Sequence, residues 1–530
     1  MQYNDWFFVI IFLPAAVMLY YLLPLRLRYL ALLISSAAFY LLSCGGRILI
    51  LLATTLLVYV TGICLEKIQL EFQERKKGLP KEERKLLKKE TEKKKRRVLV
   101  FSCLLLFAIL FSVKYLNFFC QNLNLLLDRF RISSQIPVFH LMMPLGVSFY
   151  TLSAASYLID ISRGTCQAQR NYLKLLLFLF FFPVIVEGPI SRYHQLGKQL
   201  EEGHPFCYET FCEGLQLILW GLLKKVLIAD RLSLYVKYVF NSWADVPSPI
   251  IILGVCCYTC QIYMEFSGCM DMVTGIAALF GIELESNFRR PFFSRSVNEF
   301  WRRWHITLGS WLRDYIFYPI SISRPFQNLT KKTRQYMNPY YASCLPMIAA
   351  LFAVWFGNGI WHGAEWKYIF YGLYYYTIVV LGMLLEPLFV KVTGALSINR
   401  ESRIYHGFQI FRTFCLVNLG MLIFRADGLR EAGKMFFAIF RNGMTGKETL
   451  SQALLGHRIG LMEWSMFLAF LLLVIVIGIL QERGIRIRKT ISSRALPVRW
   501  CVYLAAICLL AAAGAYGPGY GTVDFIYAQF

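Results

Sequence analysis

An all-α polytopic membrane protein is the fold class this sequence predicts, and three observations predict it. Of 530 residues, 57% are hydrophobic and only 17% are charged, against about 25% charged residues in soluble domains. The apolar residues gather in runs approaching the roughly 20 residues a spanning helix needs. Basic residues, in excess by a formal charge of +24, sit mainly in short segments between those runs, as in cytoplasmic loops of membrane proteins. That distribution argues against nucleic-acid binding, which needs the basic residues gathered on one surface. No long polar block interrupts the pattern, so a single membrane domain over residues 1–530 is expected.

The first apolar run, 6–23, is closed by Pro24 and followed by Arg26 and Arg28. Asp5 and the lack of a basic leading region or a small-residue cleavage site mark it as a retained span, not a signal peptide. Runs 30–44 and 48–65 follow, separated by Gly45-Gly46-Arg47. The positive-inside rule puts Arg26 and Arg28 in the cytoplasm and the N-terminus outside. Two further crossings return Glu66 to the cytoplasm, where the most charged segment, 66–97, ends in Lys93-Lys-Lys-Arg-Arg. Its composition predicts a solvated basic loop near anionic lipid, with a helical hairpin as the alternative.

Runs 98–119, 137–161 and 172–186 come next. Pro144 and Gly146 predict a broken or kinked helix in the second, and Glu187 at the end of the third reads as interfacial, with a place in a polar cavity as the alternative. Run 211–232 carries Lys224 and Lys225 near its middle, which predicts snorkelling or a partly surface-lying segment. Runs 250–266 and 270–282 break at Gly268, and then the pattern changes. From 283 to 324 basic, aromatic and apolar residues mix, as in interfacial or re-entrant helices. Thr330 to Arg334 is a short basic loop, and five runs remain: 341–360, 366–388, 408–424, 466–480 and 500–516, with a mixed stretch at 427–463. The count comes to about ten to twelve spans plus re-entrant pieces.

Fifteen cysteines are scattered mostly inside apolar runs without paired spacing, so they read as small hydrophobes and no metal site is expected. Of seven histidines, His194, His204, His406 and His457 lie near polar residues and breaks, and His140 precedes a span. His362 differs, set between Trp361 and Gly363 among hydrophobic runs. An ionisable group inside a membrane segment points to function, with a hydrogen-bonded bundle histidine as the alternative. Imidazole suits proton transfer near neutrality, and an apolar site favours its neutral, proton-accepting form. Such a base could activate an alcohol for attack on an acyl thioester or ester. No G-x-S-x-G nucleophile elbow occurs.

His305 sits in Ser296-Val-Asn-Glu-Phe-Trp-Arg-Arg-Trp-His-Ile-Thr-Leu, with Arg313 and Asp314 nearby. On a continuous helix Trp301, Trp304, His305 and Leu308 would share a face, with Arg302 and Arg303 turned towards headgroups or an anionic donor. An interfacial Trp-Arg anchor is the competing reading.

Phe300-Trp-Arg-Arg-Trp-His305, Trp311-Leu-Arg-Asp-Tyr-Ile and Trp361-His-Gly-Ala together resemble the membrane-bound O-acyltransferase family. Met143-Pro-Leu-Gly-Val-Ser-Phe-Tyr, Phe182-Pro-Val-Ile-Val-Glu-Gly-Pro-Ile and Gln261-Ile-Tyr-Met-Glu-Phe-Ser-Gly are similar to its bacterial branch. That branch includes the membrane subunit of alginate O-acetylation and the D-alanyl transfer protein of teichoic acids. The resemblance implies a helical bundle around a transmembrane tunnel, with core segments at 283–362. It implies His362 as general base, and His305 orienting either the acyl group or the acceptor. Trp301, Arg302, Arg303, Trp304, Asp314, Asn358 and Trp361 become expected substrate contacts. The C-terminal tail 517–530 resembles the alginate type, and Tyr527 in it is expected at an outer mouth, relaying or contacting acyl groups.

The implied activity is O-acyl transfer in the cell membrane, as O-acetylation of an extracytoplasmic polysaccharide. An acyl thioester such as acetyl-CoA would serve as cosubstrate, with no tightly bound cofactor. A soluble extracytoplasmic SGNH-type partner is implied, and an acyl-carrier protein if the reaction is instead D-alanylation of teichoic acid. A transporter or flippase is the alternative from another class, on the strength of the many spans and the break at Pro144 and Gly146.

Overall fold

The computed structural model describes residues 1–132, 135–139, 143–444, 448–455 and 460–515. Tyr527, with the rest of the tail, and His140 and His457 lie outside them. The described chain is mostly helical and divides into two compact units. One comprises Met1–Ile218 with Val273–Glu285, the other Leu219–Met272 with the described residues from Ser286 onward. The all-α polytopic prediction holds: eight helical stretches among the described residues are long and apolar enough to cross a membrane.

The first unit is built from α1 (Leu13–Leu22), α2 (Arg28–Cys44), α3 (Ile48–Arg75), α4 (Lys81–Lys114), α5 (Leu116–Arg129), α6 (Val147–Arg163), α7 (Tyr172–Phe180), α8 (Tyr193–Glu201) and the start of α9 (Tyr208–Leu223). Its core is aromatic. Phe8, Phe12 and Phe39 pack on Phe182, and the Tyr3 hydroxyl donates to the Phe182 carbonyl at 2.8 Å. The charged segment at 66–97 is a helical hairpin rather than a loop: α3 runs to Arg75 and α4 starts at Lys81. Leu, Glu and Lys are good helix formers, and Lys95 ties the hairpin to Gln69 (2.8 Å) and to the Ser162 carbonyl (2.7 Å).

Pro144 and Gly146 do not kink a helix; they precede one. Gly146 has φ +70° as the N-cap of α6, and a Cβ there would lie 1.8 Å from the Ile185 carbonyl oxygen, so only glycine fits. Run 172–186 is likewise helical only to Phe180. Glu187 is 1% exposed, which corrects its interfacial reading.

The second unit holds the rest of α9, then α10 (Asp230–Ser242), α11 (Ser248–Leu279) as far as Met272, α12 (Val297–Arg303), α13 (Ile306–Leu312), α14 (Tyr318–Ser321), α15 (Arg324–Thr333), α16 (Pro339–His362), α17 (Trp366–Ala395), α18 (Arg403–Arg425), α19 (Leu429–Arg441), α20 (Leu450–Leu455), α21 (Leu461–Glu482), α22 (Ile487–Ser492) and α23 (Leu496–Ala513). The mixed segment after α11 forms short helices, as its composition predicts. The long helices carry exposed apolar residues such as Leu381, Leu385, Leu388 and Phe389 on α17. Such a surface suits lipid, where only helices or closed barrels satisfy their own backbone.

Lys224 and Lys225 depart from expectation. They lie in a π-helical turn, Lys224–Ala229, and both are buried. Lys225 Nζ stands 2.8 Å from Asp230 and 3.1 Å from Glu265; Lys224 Nζ stands 2.6 Å from Asp271. Opposite charges supplied by α10 and α11 replace the water that a snorkelling lysine would seek.

Candidate active site

The second unit brings His305 and His362 against one indole. The Trp361 ring lies 5.7 Å from His305 and 5.1 Å from His362, centroid to centroid. Both histidines are 3% exposed.

His362 is the last residue of α16, and packing with α17 sets its position. Gly359 and Gly372 let the two backbones touch: a Cβ on Gly372 would lie 2.3 Å from the Trp355 carbonyl oxygen, and one on Gly359 would lie 2.6 Å from that of Tyr368. At this crossing Tyr371 meets the His362 ring edge-on at 5.7 Å, and Phe424 of α18 does so at 5.2 Å. Trp361, Tyr371 and Phe424 therefore enclose His362. Asn358, 4% exposed, lies one turn earlier on the same helix face.

His305 does not continue a helix. Helix α12 ends at Arg303, and His305 is the N-cap of α13 with φ +47°, the left-handed region. Few residues other than glycine occupy that region, histidine being among the more tolerant. The turn is held by a short antiparallel pairing. Arg289 N–H donates to Arg303 O (2.9 Å), Ile306 N–H donates to Asn287 O (3.0 Å), and Phe288 bridges Trp304. The expected shared face of Trp301, Trp304, His305 and Leu308 is thus absent, because the chain reverses within it.

The pairing also delivers the Asn287 side chain. Its Oδ1 is 3.2 Å from His305 Nδ1 and accepts from Thr307 N–H (3.0 Å) and Thr307 Oγ1 (2.9 Å). Phe266 of α11 meets the His305 ring edge-on at 4.9 Å. Burial among these neutral groups holds the His305 imidazole down to a pKa of about 3, so the ring stays neutral across the ordinary pH range.

The other sequence-predicted residues separate into groups. Trp301 packs on Trp355 and Tyr375, and Trp304 on Phe288 and Phe300; both shape the wall beside the pair. Arg303 binds Glu299 (2.6 Å) and Glu482 (2.8 Å), so its charge is committed within the protein. Arg302 is exposed, and Asp314 bonds Arg313 at 3.0 Å.

The sequence profile of the membrane-bound O-acyltransferase family matches residues 167–333, which include His305 and Asn287. The chain is 30% identical over 481 residues to the probable alginate O-acetylase AlgI of Pseudomonas aeruginosa, covering 89% of this chain and 81% of that protein. This chain belongs to the membrane-bound O-acyltransferase family. It is an acyltransferase and a multi-pass membrane protein. Similarity extends to the peptidoglycan O-acetyltransferase of Helicobacter pylori, 28% identical over 67% of this chain and 66% of that one. It also reaches the teichoic acid D-alanyltransferase of Bacillus subtilis, 28% identical over 54% of this chain and 70% of that one.

Within this O-acyltransferase, sequence reading missed Asn287, Thr307, Phe266, Tyr371 and Phe424 as neighbours of the histidines. Asn287 stands 18 residues before His305 with five arginines between them. Only the chain reversal makes them neighbours, and no helical or strand periodicity encodes it. The aromatic residues were legible as core but not as a cage.

Proposed function

We propose that this acyltransferase is an O-acetyltransferase that moves an acyl group from a cytoplasmic thioester, such as acetyl-CoA, for O-acylation of an extracytoplasmic polysaccharide. The observation that carries this reading is the pair of buried imidazoles against Trp361. His362 accepts the proton of the attacking hydroxyl as its oxygen bonds to the acyl carbonyl carbon. The carbon–sulfur bond then breaks, and the departing thiolate takes that proton from the imidazolium. General-base assistance of this kind contributes typically about 10²- to 10⁴-fold to rate. Asn358, Trp361, Trp301 and Trp304 shape the substrate's surroundings. Arg302, as an exposed cation, is the better placed of the two adjacent arginines to meet an anionic donor.

Acetyl transfer is favoured over D-alanyl transfer by coverage: the alginate relative matches 89% of the chain, the D-alanyltransferase 54%. In this reading the protein lies in the cell membrane with its N-terminus outside and the basic hairpin in the cytoplasm, by the positive-inside rule. A soluble SGNH-type partner completes delivery to the polymer outside, and Tyr527 contacts the acyl group there. The test is the ester-linked acetyl and D-alanyl content of envelope polymers, by mass spectrometry, in cells with and without the protein. Loss of acetyl alone is expected. Loss of D-alanyl alone would transfer the assignment to teichoic acid, and no change in either would reject both.

A further inference from the structure

The amide of Asn287 is oriented independently of the histidine beside it. Its Oδ1 faces the Thr307 backbone N–H, which can only donate, so oxygen and not nitrogen must occupy that position. The amide nitrogen then faces Met270 Sδ at 3.1 Å, a weak acceptor, and the Asn287 main-chain carbonyl is held by Ile306 N–H. Asn287 and Thr307 are 2% and 1% exposed, so no water competes for these bonds. The atom His305 Nδ1 meets is therefore a fixed acceptor. Nδ1 must carry a proton to bond it, and in a neutral imidazole that makes Nε2 the imine nitrogen, able to accept but not to donate.

We propose that Asn287 is a positioning residue for acyl transfer, locking His305 in the Nδ1–H tautomer so that its Nε2 receives a hydroxyl of the acceptor and not the carbonyl oxygen of the acyl donor. A carbonyl oxygen needs a donor, and this tautomer presents none at Nε2. A sugar hydroxyl supplies the proton that Nε2 requires. The left-handed backbone at His305 serves the same end, since it turns the chain between α12 and α13 and sets Nδ1 against Asn287. The assignment rests on the acyl-transfer reading above and decides which substrate His305 meets.

The test uses membrane vesicles holding the full-length protein, with [14C]acetyl-CoA as the probe and label in endogenous envelope polysaccharide as the readout. Asn287→Leu should lower the maximal rate roughly 10- to 100-fold, the cost typical of losing the group that orients a metal-bound histidine. The apparent KM for acetyl-CoA should stay within about twofold, because the acceptor side is what changes. Asn287→Asp keeps an acceptor for Nδ1 and should recover most of the rate. Its added carboxylate favours the imidazolium, so its profile should lose activity on the acid side at a higher pH than the parent. Charged groups on the surrounding elements are Glu265 and Asp271 on α11, Arg289 and Arg290 beside Asn287, Glu299, Arg302 and Arg303 on α12, and His362 on α16. Glu265, Asp271, Arg290, Glu299 and Arg303 are ion-paired within the protein, Arg289 and Arg302 are exposed, and His362 is common to all variants.

A wild-type maximal rate in Asn287→Leu, or a raised acetyl-CoA KM with an unchanged rate, would overturn the proposal. Should the leucine variant fail to accumulate, the aspartate variant decides: an unshifted pH profile overturns it. His362→Ala run in parallel separates the two claims. Full activity in that variant rejects acyl transfer at this site, whereas an inactive His362→Ala beside a normal Asn287→Leu rejects only the role of Asn287.

Discussion

Two buried polar clusters in the second unit solve the same problem in opposite ways. Lys225, Asp230 and Glu265 answer charge with charge at 2.8 and 3.1 Å. His305 and His362 are surrounded by neutral groups: an amide, a threonine and the rings of Phe266, Trp361, Tyr371 and Phe424. Helix α11 serves both, with Glu265 in the ion cluster and the next residue, Phe266, against His305; consecutive helical residues point about 100° apart. A cluster whose charges satisfy one another is a structural device. A cluster that keeps the His305 ring neutral and encloses a second imidazole in uncharged side chains suits proton exchange with a substrate. The contrast is the physical ground for proposing the histidine cluster, and not the ion cluster, as the seat of the chemistry.

Breaking the ion cluster should have the largest effect. Lys225→Met leaves Glu265 and Asp230 buried together without their cation, and should cost about 3–5 kcal/mol of stability. The yield of monodisperse protein extracted from membranes and its melting midpoint report this. The contrast sharpens when all three are replaced. Lys225→Met with Asp230→Leu and Glu265→Leu should restore both yield and acyl transfer, because removing a whole buried ion set is often neutral. Restored yield without activity would place the cluster in the chemistry and dissolve the distinction.

Gly372→Val should act on the histidine cluster with less effect on stability. A Cβ there meets the Trp355 carbonyl oxygen at 2.3 Å and drives α16 from α17. Overpacking typically costs about 1–3 kcal/mol, but a displacement of His362 by about 1 Å can lower a rate some 10²-fold. Label transfer from [14C]acetyl-CoA at matched protein levels measures it, and a rate unchanged beside a lowered melting midpoint would mean that the α16–α17 crossing does not position the base.

The smallest expected effect is one of pH. The His305 pKa is depressed to about 3 in the folded protein, against about 6.5 when unfolded. Below about pH 6.5 the unfolded chain binds a proton that the folded chain refuses. The stability linked to neutral His305 is thus complete above that pH and is lost progressively as pH falls towards 3. The melting midpoint of the parent should fall more steeply than that of His305→Asn between pH 6.5 and 4, with parallel curves above pH 7. Parallel curves throughout would show that His305 is not buried neutral.

How much was legible in the sequence follows from which interactions are local. Hydropathy over 20-residue windows reports spans, so the membrane frame was readable. His362 was readable because its neighbours in sequence, Trp361 and Asn358, are also its neighbours in space. The reversal at His305 was not, since it depends on pairing with residues 287–289. Burial of Lys224 and Lys225 was hidden for the same reason: their carboxylates come from α10 and α11. Charge inside an apolar run cannot by itself distinguish a snorkelling lysine from a neutralised one.

If the imidazole at the end of α16 performs the proton transfer of polysaccharide acylation, the ester-linked acetyl content of envelope polysaccharide in cells carrying His362→Ala, with the protein quantified in the same membranes, reports it directly. A normal amount of protein and a rate of acetylation lowered by about 10²- to 10⁴-fold are expected. Parental acetylation from a normally accumulated His362→Ala protein would contradict that role.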